Sequence, residues 1–378
     1  MNNKLHILFL CGWYPSRVLP TNGDFIERHA LAISLKHQVT VIHIITDKSV
    51  SNNLEIISTK EKQITTHIAY LKKTKNPIKK TYLYAKAFLR ILRKIKNLDV
   101  VHLNEVYPFG IFSLYLKWFK NKQYIISEHH TVYHKPQAEK LTFTHKFISK
   151  IITKNATFIC PVSNDLRDAM RALNLKGNYF RVPNVVNTDL FFPTENTNKT
   201  FIITHISNML NVHKNVEGLL NVVKKLDSKI TNFKIKLIGA DAEKYKVFAE
   251  EMSIDLQKIE FINQIPHKEV VAHLQKSDVF VLFSNYENLP CVILEAFSCG
   301  IPVISTNVGG INEYFPESFG FLIDAKDEDA LLDKTIEVYT NFKTNKEKMH
   351  QYVENNFSTI TIANQFSELY NSALNESL

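Results

Sequence analysis

Short apolar runs rich in β-branched and aromatic residues recur along the whole chain, each bordered by turn formers and separated from the next by amphipathic or polar sequence. In the first half they are KLHILFL (4–10), QVTVIHII (38–45), VVHL (100–103), YIIS (124–127) and TFICPVS (157–163). In the second half they are FIITHIS (201–207), KIKLIGA (234–240), IEFIN (259–263), DVFVLFS (278–284) and PVIST (302–306). Runs of this length and composition read as buried strands. GDFIERHALAISLKH, between the first two, carries Phe25, Ile26, Ala30 and Ile33 at helical spacing, and further helices are expected at 213–226, 242–253, 267–276 and 290–299. Strand–helix alternation of this kind gives parallel sheets covered on both faces.

The pattern is laid down twice. At 378 residues the chain exceeds what one core holds, since single cores stop growing near roughly 250–300 residues. The expected fold class is therefore α/β, with two doubly wound, Rossmann-like domains of parallel sheet. Proline and polar residues cluster in VPNVVNTDLFFPTENTNKT (182–200), which divides the chain into domains 1–186 and 187–357. TIANQFSELYNSAL lies in a terminal segment, 358–378, expected to form a helix packing back on the first domain.

Net charge of +9 conceals an asymmetry. Residues 1–185 hold 29 Lys+Arg against 11 Asp+Glu, and residues 186–378 hold 17 against 26. A basic half and an acidic half face different partners. The four cysteines form no CxxC pair and no cluster with histidine, which fits a reducing cytosol and argues against a disulfide framework or a zinc site. MNNKLHILFLCGWYPS imitates a short signal peptide, but its apolar run is brief and a first strand is the better reading. No apolar run reaches the roughly 20 residues of a membrane-spanning helix.

SNYENLPCVILEAFSCGIPVIST (284–306) puts Glu287 among turn formers and Glu295 in the middle of an apolar helix. Ligands of open α/β sheets bind beyond the carboxyl ends of strands, and NYENLP follows the strand DVFVLFS. Pro290 suits a first helical position, and the free N–H groups there form an anion site. Glu287 alone would read as a solvated loop carboxylate and Glu295 as half of a core ion pair. A buried carboxylate beside an anion site could instead accept hydrogen bonds from sugar hydroxyls. Together they point to a phosphorylated, hydroxyl-rich ligand.

Glu287-x7-Glu295, within S-x-x-E-x-x-P-x-x-x-x-E-A-x-x-x-G-x-P-V-I and continuing into NVGGINEYF (307–315), resembles the donor signature of retaining family-4 glycosyltransferases of the GT-B fold. The resemblance implies two Rossmann-like domains across a cleft, with the donor in the carboxyl-terminal one. It places Lys214, in HISNMLNVHKN (205–215), at the diphosphate lysine and Asn208 where many members carry arginine. It places Gly23, in TNGDFIERHA (21–30), in the glycine loop near the donor phosphates, and His129, in IISEHHT (125–131), at an active-site histidine. Glu295 would bind ribose hydroxyls, Ile265 would meet the base through its backbone, and Glu287 would hold sugar hydroxyls. Lys214 and the helix start near Asn288 and Leu289 would stabilise the leaving diphosphate. Asn208, Val185 and Asn187 depart from the family pattern.

The expected activity is retaining hexosyl transfer from a UDP- or GDP-sugar to a glycan or lipid-linked acceptor, with no cofactor and no metal. The alternatives are a nucleotide-sugar epimerase, a glycogen-type enzyme or a non-catalytic nucleotide-sugar-binding subunit. Asp327-Glu328-Asp329 formally reads D-x-D, but acids at that place suit the first turn of a helix. Neither G-x-G-x-x-G nor G-x-x-x-x-G-K-[ST] occurs. His102 and His130 read as structural histidines. Residues 72–96 hold ten basic side chains and no acid. On a helix from about Ile78, Tyr84, Phe88, Ile91, Leu92 and Ile95 would share one face. Lys79, Lys86, Arg90 and Arg93 make this either a solvated basic side or a patch for an anionic membrane surface. Nucleic acid is disfavoured for want of a motif. The expected location is cytoplasmic, with peripheral contact to the inner face of the cell membrane.

Overall fold

The computed structural model describes residues 4–375. The chain divides into two compact units: one runs to Val185 and takes up the chain again from Thr359, and the other is Val186–Ser358. Each of the ten apolar runs contributes a strand.

The first unit holds a seven-stranded sheet of β1 (His6–Cys11), β2 (Gln38–Asp47), β3 (Leu54–Glu61), β4 (Ile64–Lys72), β5 (Val100–Asn104), β6 (Tyr124–Glu128) and β7 (Phe158–Pro161). Its order is β3-β4-β2-β1-β5-β6-β7, and every neighbouring pair is parallel except β3 with β4. That hairpin corrects the expectation of a purely parallel sheet. Its sequence escapes a search for apolar runs because β3 is an edge strand, half-buried at its start and exposed from Ile57 onward. Charged side chains there, Glu55, Lys60 and Glu61, keep the edge from pairing with another chain.

The second unit holds β8 (Phe201–Ile206), β9 (Phe233–Ile238), β10 (Ile259–Ile262), β11 (Val279–Leu282), β12 (Val303–Thr306) and β13 (Gly320–Ile323), ordered β10-β9-β8-β11-β12-β13 and all parallel. In each sheet the winding reverses once. The reversal lies between β1 and β5 in the first sheet and between β8 and β11 in the second. Connections leave these strand pairs in opposite directions, so a crevice opens beyond their carboxyl ends.

The basic helix spans Pro77–Leu92, with the Asn76 side chain accepting from the Lys79 N–H at 3.0 Å. It ends before Ile95, and its buried face is Leu83, Ala87, Phe88 and Ile91, with Tyr84 and Leu92 only half-buried. The face is therefore shifted from the one expected. Lys79, Lys86, Arg90 and Arg93 are all exposed. Among the described residues no helix is long and apolar enough to cross a membrane.

The last helix, Thr359–Asn375, buries Ile362, Ala363, Phe366, Leu369, Tyr370 and Ala373 in the core around β1 and β5. Two polar contacts fix its register: His37 Nε2 lies 2.8 Å from Ser367 Oγ, and His102 Nδ1 lies 2.6 Å from the Tyr370 hydroxyl. His102 also meets Ser127 Oγ at 2.7 Å, so both its ring nitrogens are satisfied. A Tyr370→Phe substitution leaves the fully buried Nδ1 without its partner and is expected to cost about 1–3 kcal/mol. Denaturant unfolding measures it. An unchanged midpoint would show that the hydroxyl adds nothing.

Candidate functional site

In the second unit the crevice between β8 and β11 is bounded by two loops, and backbone geometry decides how close they come. After β8 the chain turns at Met209, whose φ is 57°. Ser207 Oγ accepts the Met209 N–H at 3.0 Å, and the Tyr245 hydroxyl donates to the Met209 carbonyl at 2.7 Å. His205 spans the strand ends, its ring nitrogens 3.0 Å from the Val281 carbonyl and 2.8 Å from Ser207 Oγ. Burial pushes that imidazole down to about 4, so it stays neutral. A short turn, Asn211–Lys214, then carries Lys214.

After β11 the loop is stitched to its neighbours on both sides. The Asn285 N–H and side-chain amide donate to the carbonyls of His213 and Val212 at 2.7 and 3.1 Å. Thr306 Oγ1, at the end of β12, donates to the Ser284 carbonyl at 2.6 Å. Gly309 comes so near that a Cβ there would lie 2.0 Å from the Glu287 carbonyl oxygen, and its φ is 60°. The Gly310 N–H donates to the Asn288 carbonyl at 3.0 Å.

These constraints bring Lys214 and Glu287 together. Lys214 Nζ pairs with Glu287 Oε1, and Ser284 Oγ donates to the same oxygen at 2.7 Å. Their side chains are only 14% and 9% exposed. The sequence named both residues but not their contact with each other.

Glu295 lies in the helix Cys291–Ser298, which ends in a Schellman turn: Ile301 N–H to the Ala296 carbonyl, Gly300 N–H to the Phe297 carbonyl, and φ of 73° at Gly300. Pro290 is the residue before the first helical position, not that position itself. Its ψ of 119° is extended, so the helix begins one residue later than expected. Asn288 and Leu289 are buried just ahead of it. Glu295 Oε1 lies 2.7 Å from His267 Nε2. His267 opens the helix His267–Gln275 two residues after the half-buried Ile265, so Glu295 and the Ile265 loop meet through that imidazole. Sequence reasoning passed over His267 and carried Ser284 only as the first residue of the motif, with no role. The signal for His267 was its place in NQIPHK, beside a residue already singled out. Asn208 is exposed and turns its amide oxygen onto the Leu210 N–H at 3.2 Å.

The first unit carries the other two residues. Gly23, φ 77°, precedes the helix Asp24–Ser34 and packs so tightly on Trp13 that a Cβ would lie 2.6 Å from the Trp13 carbonyl carbon. His129 follows β6, with its ring 4.6 Å from Phe25 and 5.4 Å from His29 between centroids. Both ring nitrogens are buried, and burial, then His29 and His102, hold it well below the usual histidine range against a hydrogen bond to Asn184. It is a neutral imidazole. Its backbone is fixed by the buried Glu128, which accepts the N–H groups of Val106, His129 and His130, each at 2.9 Å, and the Tyr133 hydroxyl at 3.2 Å. Asp327 caps the helix Glu328–Thr340 through the Ala330 N–H at 2.9 Å. Among the described residues no three or more His, Cys, Asp or Glu side chains are grouped to hold a metal ion.

Two doubly wound units of this kind define the GT-B fold. Sucrose-phosphate synthase from Thermosynechococcus elongatus shares it, with a TM-score of 0.80 over 99% of this chain and 100% of that one, at 18% identity. Residues 29–190 match the model of Glycosyltransferase Family 4, and residues 187–358 match that of Glycosyl transferases group 1. Over 201 residues the chain is 30% identical to a phosphatidylinositol N-acetylglucosaminyltransferase subunit of Arabidopsis thaliana, covering 52% of this chain and 44% of that protein. Over 192 residues it is 29% identical to the capsular polysaccharide biosynthesis glycosyltransferase CapM of Staphylococcus aureus, covering 48% of each. The matches thus span under half the length of either relative. The chain belongs to the family-4, group 1 glycosyltransferases.

Gly309→Ala tests how the Glu287 loop is held. The added methyl collides with backbone rather than with a flexible side chain, so the loop must shift. A loss of about 1–3 kcal/mol is expected in denaturant unfolding. Unchanged stability would show that the loop has room to spare.

Proposed function

We propose that this protein is a retaining hexosyltransferase that moves a sugar from a UDP- or GDP-sugar to a glycan or lipid-linked acceptor in surface polysaccharide assembly. The observation that carries the reading is the half-buried Lys214–Glu287 pair at the reversal between β8 and β11. The carboxyl-terminal unit holds the donor. Glu295, oriented by His267, accepts from the ribose hydroxyls, and the backbone near Ile265 meets the base.

The chemistry follows from charge. As the sugar–oxygen bond breaks, negative charge grows on the leaving diphosphate, and fixed donors there stabilise the transition state most. Lys214 supplies a cation, and the N–H groups near Asn288 and Leu289 supply dipoles. With no ligand bound, Glu287 neutralises Lys214. An arriving diphosphate competes for the ammonium and leaves Glu287 to hold sugar hydroxyls. Gly23 admits the backbone near the phosphates. His129, a neutral imidazole hydrogen-bonded to Asn184, belongs to the acceptor side. The donor phosphate takes the acceptor's proton on the face it leaves, which gives retention. No metal is required in this scheme, because Lys214 and backbone dipoles do that work.

Nucleotide-sugar panels with analysis of the product test this. Transfer should retain the anomeric configuration and survive EDTA, and Lys214→Ala or Glu287→Ala should lower turnover roughly 10²-fold while folded. An inverted product would sink the retaining mechanism, and rescue by Mg²⁺ or Mn²⁺ the metal-free one. Asn208, exposed where many members carry arginine, favours one second reading, that of a partner protein that binds nucleotide sugars without catalysis. Nucleotide binding without hydrolysis or transfer would select it.

The basic amino-terminal half fits a lipid-linked or acidic acceptor, and the helix Pro77–Leu92 exposes Ile78 and Tyr82 among its cations. We infer peripheral contact with the cytoplasmic face of a membrane. Each exposed cation contributes about 1 kcal/mol near an anionic surface, within a Debye length of about 8 Å at physiological ionic strength. Sedimentation with anionic liposomes should fall in high salt and in a Lys79/Lys86/Arg90/Arg93→Ser protein. Equal binding to neutral vesicles would make the helix a solvated face.

A further inference from the structure

The reversal between β8 and β11 frames the donor residues, and the first unit has its own reversal between β1 and β5. Gly12 follows β1 and Glu105 follows β5, so both stand at the carboxyl ends of the strands that flank it. The Gly12 N–H donates to the Asn104 carbonyl at 3.4 Å, which draws the two strand ends together. A Cβ on residue 12 would lie 2.2 Å from Glu105 Oε2. Glycine is therefore what leaves room for that carboxyl group at the crevice.

Glu105 is held there at some cost. Its φ is 72°, a left-handed conformation that a non-glycine residue keeps only where its surroundings impose it. It is 5% exposed, and Oε1 is buried without a hydrogen-bond partner. Glu128, close by, has the opposite character: both its oxygens are engaged, by three N–H groups and a hydroxyl. Of the two buried carboxyl groups, one organises a loop and the other has hydrogen-bonding capacity to offer. Burial, and next the charge of Glu128, push Glu105 well above the usual carboxylate range, which favours the neutral acid. A neutral carboxyl is donor and acceptor at once, as a sugar hydroxyl is.

We propose that Glu105, admitted by Gly12 at the strand-end crevice of the amino-terminal unit, hydrogen-bonds a hydroxyl of the acceptor sugar and governs which acceptor is taken. The assignment rests on reading that unit as the acceptor half.

Trp13 adjoins Gly12, and the chain has two tryptophans, so Trp118→Phe leaves one reporter beside the site. In that background, titration with methyl glycosides of glucose, galactose, mannose and N-acetylglucosamine should give a saturable fluorescence change with at least one. Glu105→Leu should weaken this binding roughly tenfold or more, whereas Glu105→Gln, which keeps a donor and an acceptor, should hold it within about threefold. Nucleotide-sugar hydrolysis without acceptor should be the same in all three proteins. No saturable change with any glycoside, or equal binding by Glu105→Leu, overturns the proposal. Should Glu105→Leu fail to fold, infrared difference spectra decide: a protonated-carboxyl band should shift on glycoside addition and be missing in Glu105→Gln, and an unshifted band refutes the contact. Glu105-dependent glycoside binding in a protein that neither hydrolyses nor transfers from any nucleotide sugar would sink the transferase reading and leave only the Glu105–glycoside contact standing.

Discussion

A charged pair as shielded as Lys214 and Glu287 survives only when the groups around it are already satisfied, because the desolvation of two ions can exceed their attraction. Here the carboxylate is satisfied by the Lys214 ammonium and the Ser284 hydroxyl, and the loops that carry them are tied to one another. Asn285 ties the Glu287 loop to the turn that carries Lys214, Thr306 ties it to β12, and Gly309 and Gly310 close over it from a third loop. Three strand ends thereby fix one oxygen atom. Removing either charge leaves the other half-buried and uncompensated, so the pair is costly to break singly. In the proposed reaction, by contrast, a diphosphate would bring its own charge and exchange one counter-ion for another.

Histidines do much of the positioning, and they do it as neutral groups. His205 bridges β8 and β11, His102 joins β5 to the last helix through Tyr370, and His129 sits among Phe25 and His29. Burial lowers each of their pKa values, so each ring serves as one donor and one acceptor rather than as a cation. Two of them, His205 and His102, use both nitrogens within the protein. A structural reading suits those two.

The sequence was legible where burial is two-sided. β1, β2 and β5–β12 announce themselves because strands covered on both faces are apolar at nearly every position. The β3–β4 hairpin did not, since its outer strand faces water and its composition looks like a loop. Glu287, Glu295 and Lys214 were found through a spaced motif, which survives in one dimension. The partner His267 was not, because proximity across 28 residues leaves no trace in spacing, and Ser284 entered only as the first letter of that motif, its bond to Glu287 being set by a rotamer. Glu105 was hidden for a similar reason. Its distinction lies in a positive φ and a glycine 93 positions away in sequence.

The last helix has a consequence for how the chain is made. Its residues complete the core around β1 and β5, yet they follow the whole of the second unit in sequence, and His37 reaches Ser367 across 330 positions. During synthesis from the amino terminus, the second unit is contiguous and has all its strands in hand before the first receives its final helix. Domains generally fold as units as they emerge. The first unit must therefore wait with the apolar surface over β1 and β5 uncovered while a second, self-sufficient domain forms beside it. Order of emergence and order of completion are reversed in this protein, and the exposed interval lengthens with every residue inserted into the later domain.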